Sequence, residues 1–227
     1  MVGIRSLCSP LTPACALGLL VVGCGDVRYR DGVTAEYPVE KIHLSGDVGV
    51  VDIVPGEVAK VEYAVRAPDG AANVQSTEKG GQLSTTARCH TPVLCSVDVQ
   101  VHVPDGVGVE VDLGLGEVWS TGVGDLSVSV AQGDVDVDTT GNVTVQVGQG
   151  SVRVKTSGSE SVRVAVGDGD IMVDASPDQW NLNITAKSES NDGIIDNRGA
   201  RGQMELVAPA GTVTLRTIRR ALDSGTP

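Results

Sequence analysis

Phenylalanine is absent from this chain of 227 residues, and two tryptophans and three tyrosines bring the aromatic share to only 2%. A wide globular interior is ordinarily filled by such rings. The hydrophobic 41% must therefore pack as small aliphatic side chains, valine above all, in thin layers that need nothing larger. Basic residues are scarce as well: 17 Lys and Arg stand against 29 Asp and Glu, for a net charge of −12. Binding to phosphates needs clustered cations, so nucleic acid is excluded as a partner. The three histidines, His43, His90 and His102, are dispersed, and none adjoins a serine or cysteine in a nucleophile context. No catalytic triad can be assembled from them. No stretch of useful length places apolar residues at helical spacing. The apolar stretch from Leu11 to Val22 is interrupted by Pro13 and falls short of the roughly 20 residues a transmembrane helix requires.

What the chain does have is glycine, 29 residues of it, and a phrase that keeps returning. Gly116-Glu117-Val118, Gly124-Asp125-Leu126, Gly133-Asp134-Val135, Gly141-Asn142-Val143, Gly150-Ser151-Val152 and Gly169-Asp170-Ile171 each open a segment of valines alternating with polar residues. The first four steps between these glycines are 8, 9, 8 and 9 residues (124−116, 133−124, 141−133, 150−141). A unit of one strand and one turn buries its apolar side only against neighbouring copies. The expected fold is therefore all-β, a single-domain β-solenoid or β-helix-like stack of short Val-rich strands.

Strand geometry sharpens this expectation. The period of two sends Val135 and Val137 inward and Asp134, Asp136 and Asp138 to solvent. Two repeats span 17 residues here (133−116 and 150−133), so a two-repeat rung sets Asp136 beside Arg153 and Asp138 beside Lys155. The 19-residue step from Gly150 to Gly169 then sets Asp174 on the far side of Lys155. Such a ladder of ion pairs fixes register more than it adds bulk stability. Alternation from Val118 turns Trp119 outward, where it offers a candidate binding surface for a glycan or protein. Trp180 shares a face with Leu182 and Ile184 and is expected in the core or at a cap.

The N-terminal residues specify an address. Val21-Val22-Gly23-Cys24 closes the apolar stretch and resembles a bacterial lipoprotein signal, in which the cysteine is lipidated and becomes the new N-terminus. That reading makes 1–23 a signal peptide and anchors the chain through Cys24 to the membrane of the cell envelope. Residues 24–38 are then expected as a tether, 39–215 as the β-repeat domain, with 67–82 a surface loop within it, and 216–227 as a tail. Only Cys89 and Cys95 remain as a pair in the mature chain, and outside the cytoplasm they are expected to form a disulfide.

The Gly46-Asp47-Val48-Gly49-Val50 segment, the Val99-Gln100-Val101-His102-Val103-Pro104 segment and the Gly-Asp-Val units after Gly114 together resemble the bacterial family DUF4097, often labelled adhesins. The resemblance covers roughly 39–215. It implies a β-solenoid-like, envelope-associated protein without catalysis, and it transfers no site residues.

Other readings have weaker footing. The Asp134, Asp136 and Asp138 row could serve acid–base chemistry in a β-helical carbohydrate-active enzyme, but alternate outward positions on a strand are ordinarily a solvated face. Gly167-Asp168-Gly169-Asp170 has a faint likeness to calcium-binding repeats, yet Gly148-Gln149-Gly150-Ser151 lacks the acids a faithful repeat would carry. Cys89, His90 and Cys95 lack a fourth metal ligand nearby. The sequence therefore points to no metal, no cofactor and no enzyme, but to a binding or structural module, with an accessory scaffold for an envelope signalling complex as the alternative.

Overall fold

The computed structural model describes residues 27–68, 70–90, 94–176 and 180–218. Among them the chain is all-β, fifteen strands and no α-helix. The repeat unit is clearest in the middle. The strands β8 (Leu126–Gln132), β10 (Val143–Gln149) and β12 (Ser161–Asp168) lie side by side and parallel in one layer. The strands β9 (Val135–Thr139), β11 (Val152–Thr156) and β13 (Ile171–Ala175) do the same in a second layer. Each rung is thus two strands, and Val152 of one rung sits in register with Val135, 17 residues earlier.

The valines face one another between the layers. Val128, Val130, Val135, Val137, Val145, Val154, Val164 and Val173 are at most 2% exposed and belong to one hydrophobic cluster. Burying a side chain of this size contributes about 1.5 kcal/mol or more, so a column of them carries most of the stability. No ring is needed because branched aliphatic side chains already fill the gap between two pleated layers.

The two corners of each rung are built differently. At the first, Gly49, Gly116, Gly133, Gly150 and Gly169 stack with φ between 141° and 157°, a region that side-chain-bearing residues rarely enter. At the second, hydroxyls do the stitching. Thr139 Oγ1 bonds the Gly124 carbonyl at 2.8 Å and accepts the Gly141 N–H at 3.1 Å. One rung further on, Thr156 and Ser159 bond each other and Ser159 bonds the Gly141 carbonyl.

Long strands hold the layers together. β7 (Gly108–Val123) passes through the glycine corner without a break, pairing with β8 in the first layer and β9 in the second. β2 (Lys41–Pro55) lies against it in the same way. β15 (Gly202–Thr217) does so at the other end, pairing with β12 and β13.

The stack departs from chain order at that end. β14 (Trp180–Asp192) leaves β13, forms the outermost rung, and the chain then returns so that β15 slots between β14 and the β12–β13 rung. β14 continues to Asp192, and 193–201 make the irregular return to β15. Arg216 and Thr217, expected to begin the tail, lie inside β15.

The N-terminal end is not a repeat. β5 (Gln82–Cys89) and β6 (Ser96–Val103) pair parallel with β2, one in each layer. Beyond them the pairing turns antiparallel: β3 (Lys60–Ala67) on β6, β1 (Val27–Thr34) on β3, and β4 (Ala72–Lys79) on β5. Residues 27–34 are therefore a strand, where a tether was expected, and 72–79 a strand, where a loop was expected. Gly80 and Gly81, at φ 61° and 75°, make the two-residue hairpin from β4 to β5 that positive φ at both positions permits. Hairpins reverse direction where the repeat's corners preserve it, so these strands close the end of the stack. Cys89 and Cys95 form a disulfide with Cα atoms 5.8 Å apart, tying the end of β5 to the start of β6.

Candidate functional site

The outer surface of the second layer carries its side chains in rows across the strands. One row runs in register from Asp52 on β2 through Trp119 on β7, Asp136 on β9, Arg153 on β11 and Met172 on β13 to Thr214 on β15. Trp119 is 46% exposed and donates its indole N–H to Glu117 Oε2 at 3.2 Å. The row borders a shallow trough of about 510 Å³, lined also by Asp134, Ser151 and Asp170. The floor is the parallel sheet, so these side chains stand on a rigid surface.

The aspartates that open each repeat have a structural task. Asp125, Asp134 and Asp170 each turn Oδ1 to a backbone N–H of the next rung, those of Asn142, Ser151 and Thr212, at 2.7–2.8 Å. Asn142 Oδ1 does the same for the Ser161 N–H at 2.9 Å. In the repeated phrase the glycine therefore makes the corner, the aspartate clamps the rung that follows and the valine fills the core. This commits Asp170, in the segment with a likeness to calcium-binding repeats, to a protein hydrogen bond.

The neighbouring row is ionic. Lys155 lies in register between Asp138 and Asp174, with Nζ 2.5 Å from Asp138 Oδ2. The hydrogen bond to Asp138, with its charge, raises the Lys155 pKa above the ordinary lysine value. Arg153 and Asp136 are register partners, but the guanidinium turns the other way and bonds Asp174 Oδ2 through Nε at 3.2 Å and Nη2 at 2.9 Å. Arg153 is raised chiefly by that hydrogen bond, with Asp136 a lesser contributor through its charge. The row continues where the sequence pattern did not reach. Arg216 is the register partner of Asp174 on one side and of Asp192 on the other, so Asp138, Lys155, Asp174, Arg216 and Asp192 alternate in sign over five rungs.

These bonds leave one carboxylate of the Trp119 row without a hydrogen-bond or ion-pair partner among the described residues, that of Asp136. An exposed indole beside a carboxylate with no hydrogen-bond partner, on a parallel sheet, can stack on a ring and accept hydrogen bonds from its hydroxyls. Trp180, by contrast, is 1% exposed, with its indole N–H on the Ser176 carbonyl at 3.1 Å. Cys24 lies outside the described residues.

No family model matches the chain, and no curated protein matches it. Among solved structures, a putative cell adhesion protein from Clostridium sporogenes is 11% identical with a TM-score of 0.39, the match covering 85% of this chain and 100% of that one. A putative adhesin from Bacteroides fragilis is 14% identical at a TM-score of 0.33, over 85% and 97% of the two chains. One from Parabacteroides merdae is 11% identical at 0.28, over 86% and 97%. Likeness of this degree assigns neither a family nor a ligand to this chain.

Proposed function

We propose that this chain is an exported protein, lipid-anchored through Cys24 to the bacterial cell envelope, that works as a non-catalytic, adhesin-like binding module of the DUF4097 kind. Its contact surface is the outer face of the second layer around Trp119, and its ligand is a glycan or protein of the envelope. The observation that carries this reading is the half-exposed Trp119 in register with Asp136, on a sheet where the neighbouring Asp134, Asp138, Asp170 and Asp174 are engaged. Asp134 and Asp170 each spend one oxygen on a backbone N–H, and Asp138 and Asp174 are paired with cations. Such acids are holding the stack together, which supports a module over an enzyme. The disulfide agrees with export, because thiols are kept reduced in the cytosol.

The test is retention of envelope components on the purified chain, compared with its Trp119→Ala variant. A protein or glycan retained by the native chain and lost from the variant supports the reading. Identical retention by both overturns the Trp119 surface. Incorporation of radiolabelled palmitate into the native chain and not into a Cys24→Ser variant is the outcome expected for the anchor.

A further inference from the structure

The first layer has its own outward rows, and one of them brings together side chains 67 residues apart. His43 on β2 is the register partner of Glu110 on β7, and Asp112 follows Glu110 by two residues, which keeps it on the same face. His43 Nδ1 is 3.4 Å from Glu110 Oε2. The donor atoms of His43, Glu110 and Asp112 all lie within 4.8 Å of one another.

We propose that His43, Glu110 and Asp112 form a site for one divalent transition-metal ion, Zn²⁺ by donor preference. An imidazole nitrogen with two carboxylates suits zinc and its borderline-soft neighbours. Ca²⁺ and Mg²⁺ are disfavoured, since they seek six or more oxygens or an octahedral shell, and three donors including a nitrogen supply neither. The backbone is already placed. β2 and β7 are parallel and in register from Lys41 opposite Gly108 to Ser45 opposite Asp112, so binding asks only for side-chain rotation. All three donors reach the ion from the sheet, which leaves its outer half to water or to an exogenous ligand.

Lys41 is the counterpart of this site. Its ammonium bonds Glu110, supplying a positive charge where the metal would bring its own. The Lys41 side chain is 48% exposed and free to swing into solvent, so it acts as a built-in competitor for the Glu110 carboxylate. The cluster lies on the layer opposite Trp119 and does not depend on the function proposed for that surface.

The test is calorimetric titration of the full chain with Zn²⁺ alone, backed by the visible absorption of Co²⁺ as a report on ligation. One equivalent is expected to bind saturably. His43→Ala and Asp112→Asn should each weaken binding at least tenfold, and Lys41→Met should tighten it severalfold. His90→Ala and His102→Ala should bind as the native chain does. All five positions are on the surface, and far-ultraviolet circular dichroism checks that each variant is folded. Absence of saturable binding, native affinity in His43→Ala and Asp112→Asn, or loss in His90→Ala or His102→Ala would each overturn the site. Unchanged affinity in Lys41→Met would overturn the competition.

Discussion

Gly133 lies so close over Gly116 that a Cβ built on Gly133 would stand 1.6 Å from the Gly116 carbonyl oxygen. The same contact recurs up the corner, at 1.8 Å for Gly150 over Gly133 and 1.7 Å for Gly169 over Gly150. No rotamer relieves it, because the colliding atom is backbone. Gly133→Ala is therefore expected to cost at least about 3 kcal/mol, from the overlap together with the left-handed φ. Gly124 is the control, since a Cβ there meets nothing within 4 Å. Gly124→Ala should be neutral or stabilise by up to about 1 kcal/mol through the unfolded chain. Urea denaturation followed by circular dichroism separates the two.

The glycine corner shows why the centre of this fold is legible and its ends are not. From Gly116 to Val173 the corner glycine, a polar residue and the inward valine or isoleucine recur in that order, with corners 17, 17 and 19 residues apart, so register follows from counting. That counting places Asp138, Lys155 and Asp174 together. It does not say which oxygen a guanidinium will choose, and Arg153 turns to Asp174, away from its register partner Asp136. At the C-terminal end the strand beginning at Trp180 and that beginning at Gly202 both alternate in strand fashion. Nothing local states that the later one stacks first. At the N-terminal end β1 and β4 are largely polar strands, because a closing edge has one wet side. The cluster of His43, Glu110 and Asp112 is a product of the β2–β7 pairing and has no signature along the chain.

Ser120 is the one described residue with a buried side-chain oxygen that lacks a hydrogen-bond partner. It points inward on β7, in register between the buried apolar Ile53 and Val137. An unpaired buried hydroxyl carries its full desolvation cost, so removing it is favourable. Ser120→Ala is expected to raise stability by about 1 kcal/mol, seen as a higher urea midpoint with an unchanged slope. A loss of stability would mean the hydroxyl has a partner.

The ladder makes a prediction in alkali. The Asp138 hydrogen bond raises the folded pKa of Lys155, so its contribution is fully present below the ordinary lysine value of 10.5 and is lost as pH climbs through the raised folded value. Melting temperatures measured from neutral pH to beyond that value should fall more steeply for the native chain than for Lys155→Met. Arg153, held above the ordinary arginine value by its hydrogen bond to Asp174, keeps its charge throughout this range. Because Arg153 is about half exposed (52%), a double-mutant cycle on the pair should return less than about 1 kcal/mol.

The two tryptophans should separate binding from folding. Trp180 is among the largest fully buried side chains and starts the terminal rung, where its backbone carbonyl also accepts the Asn197 N–H at 2.8 Å. Trp180→Ala leaves a hole that the rigid sheet closes only in part and is expected to cost about 3–5 kcal/mol. Trp119 rests on the outside of the second layer, so Trp119→Ala should change stability by less than about 0.5 kcal/mol while abolishing ligand retention. Acrylamide quenching reads the difference directly. In Trp180→Phe the remaining Trp119 emission should be quenched readily and red-shifted, and in Trp119→Phe the remaining Trp180 emission should be blue-shifted and protected. If Trp119 were instead covered in solution, by a second copy or by a segment of the chain, its emission would be protected like that of Trp180. The surface assigned to ligand binding would then already be occupied.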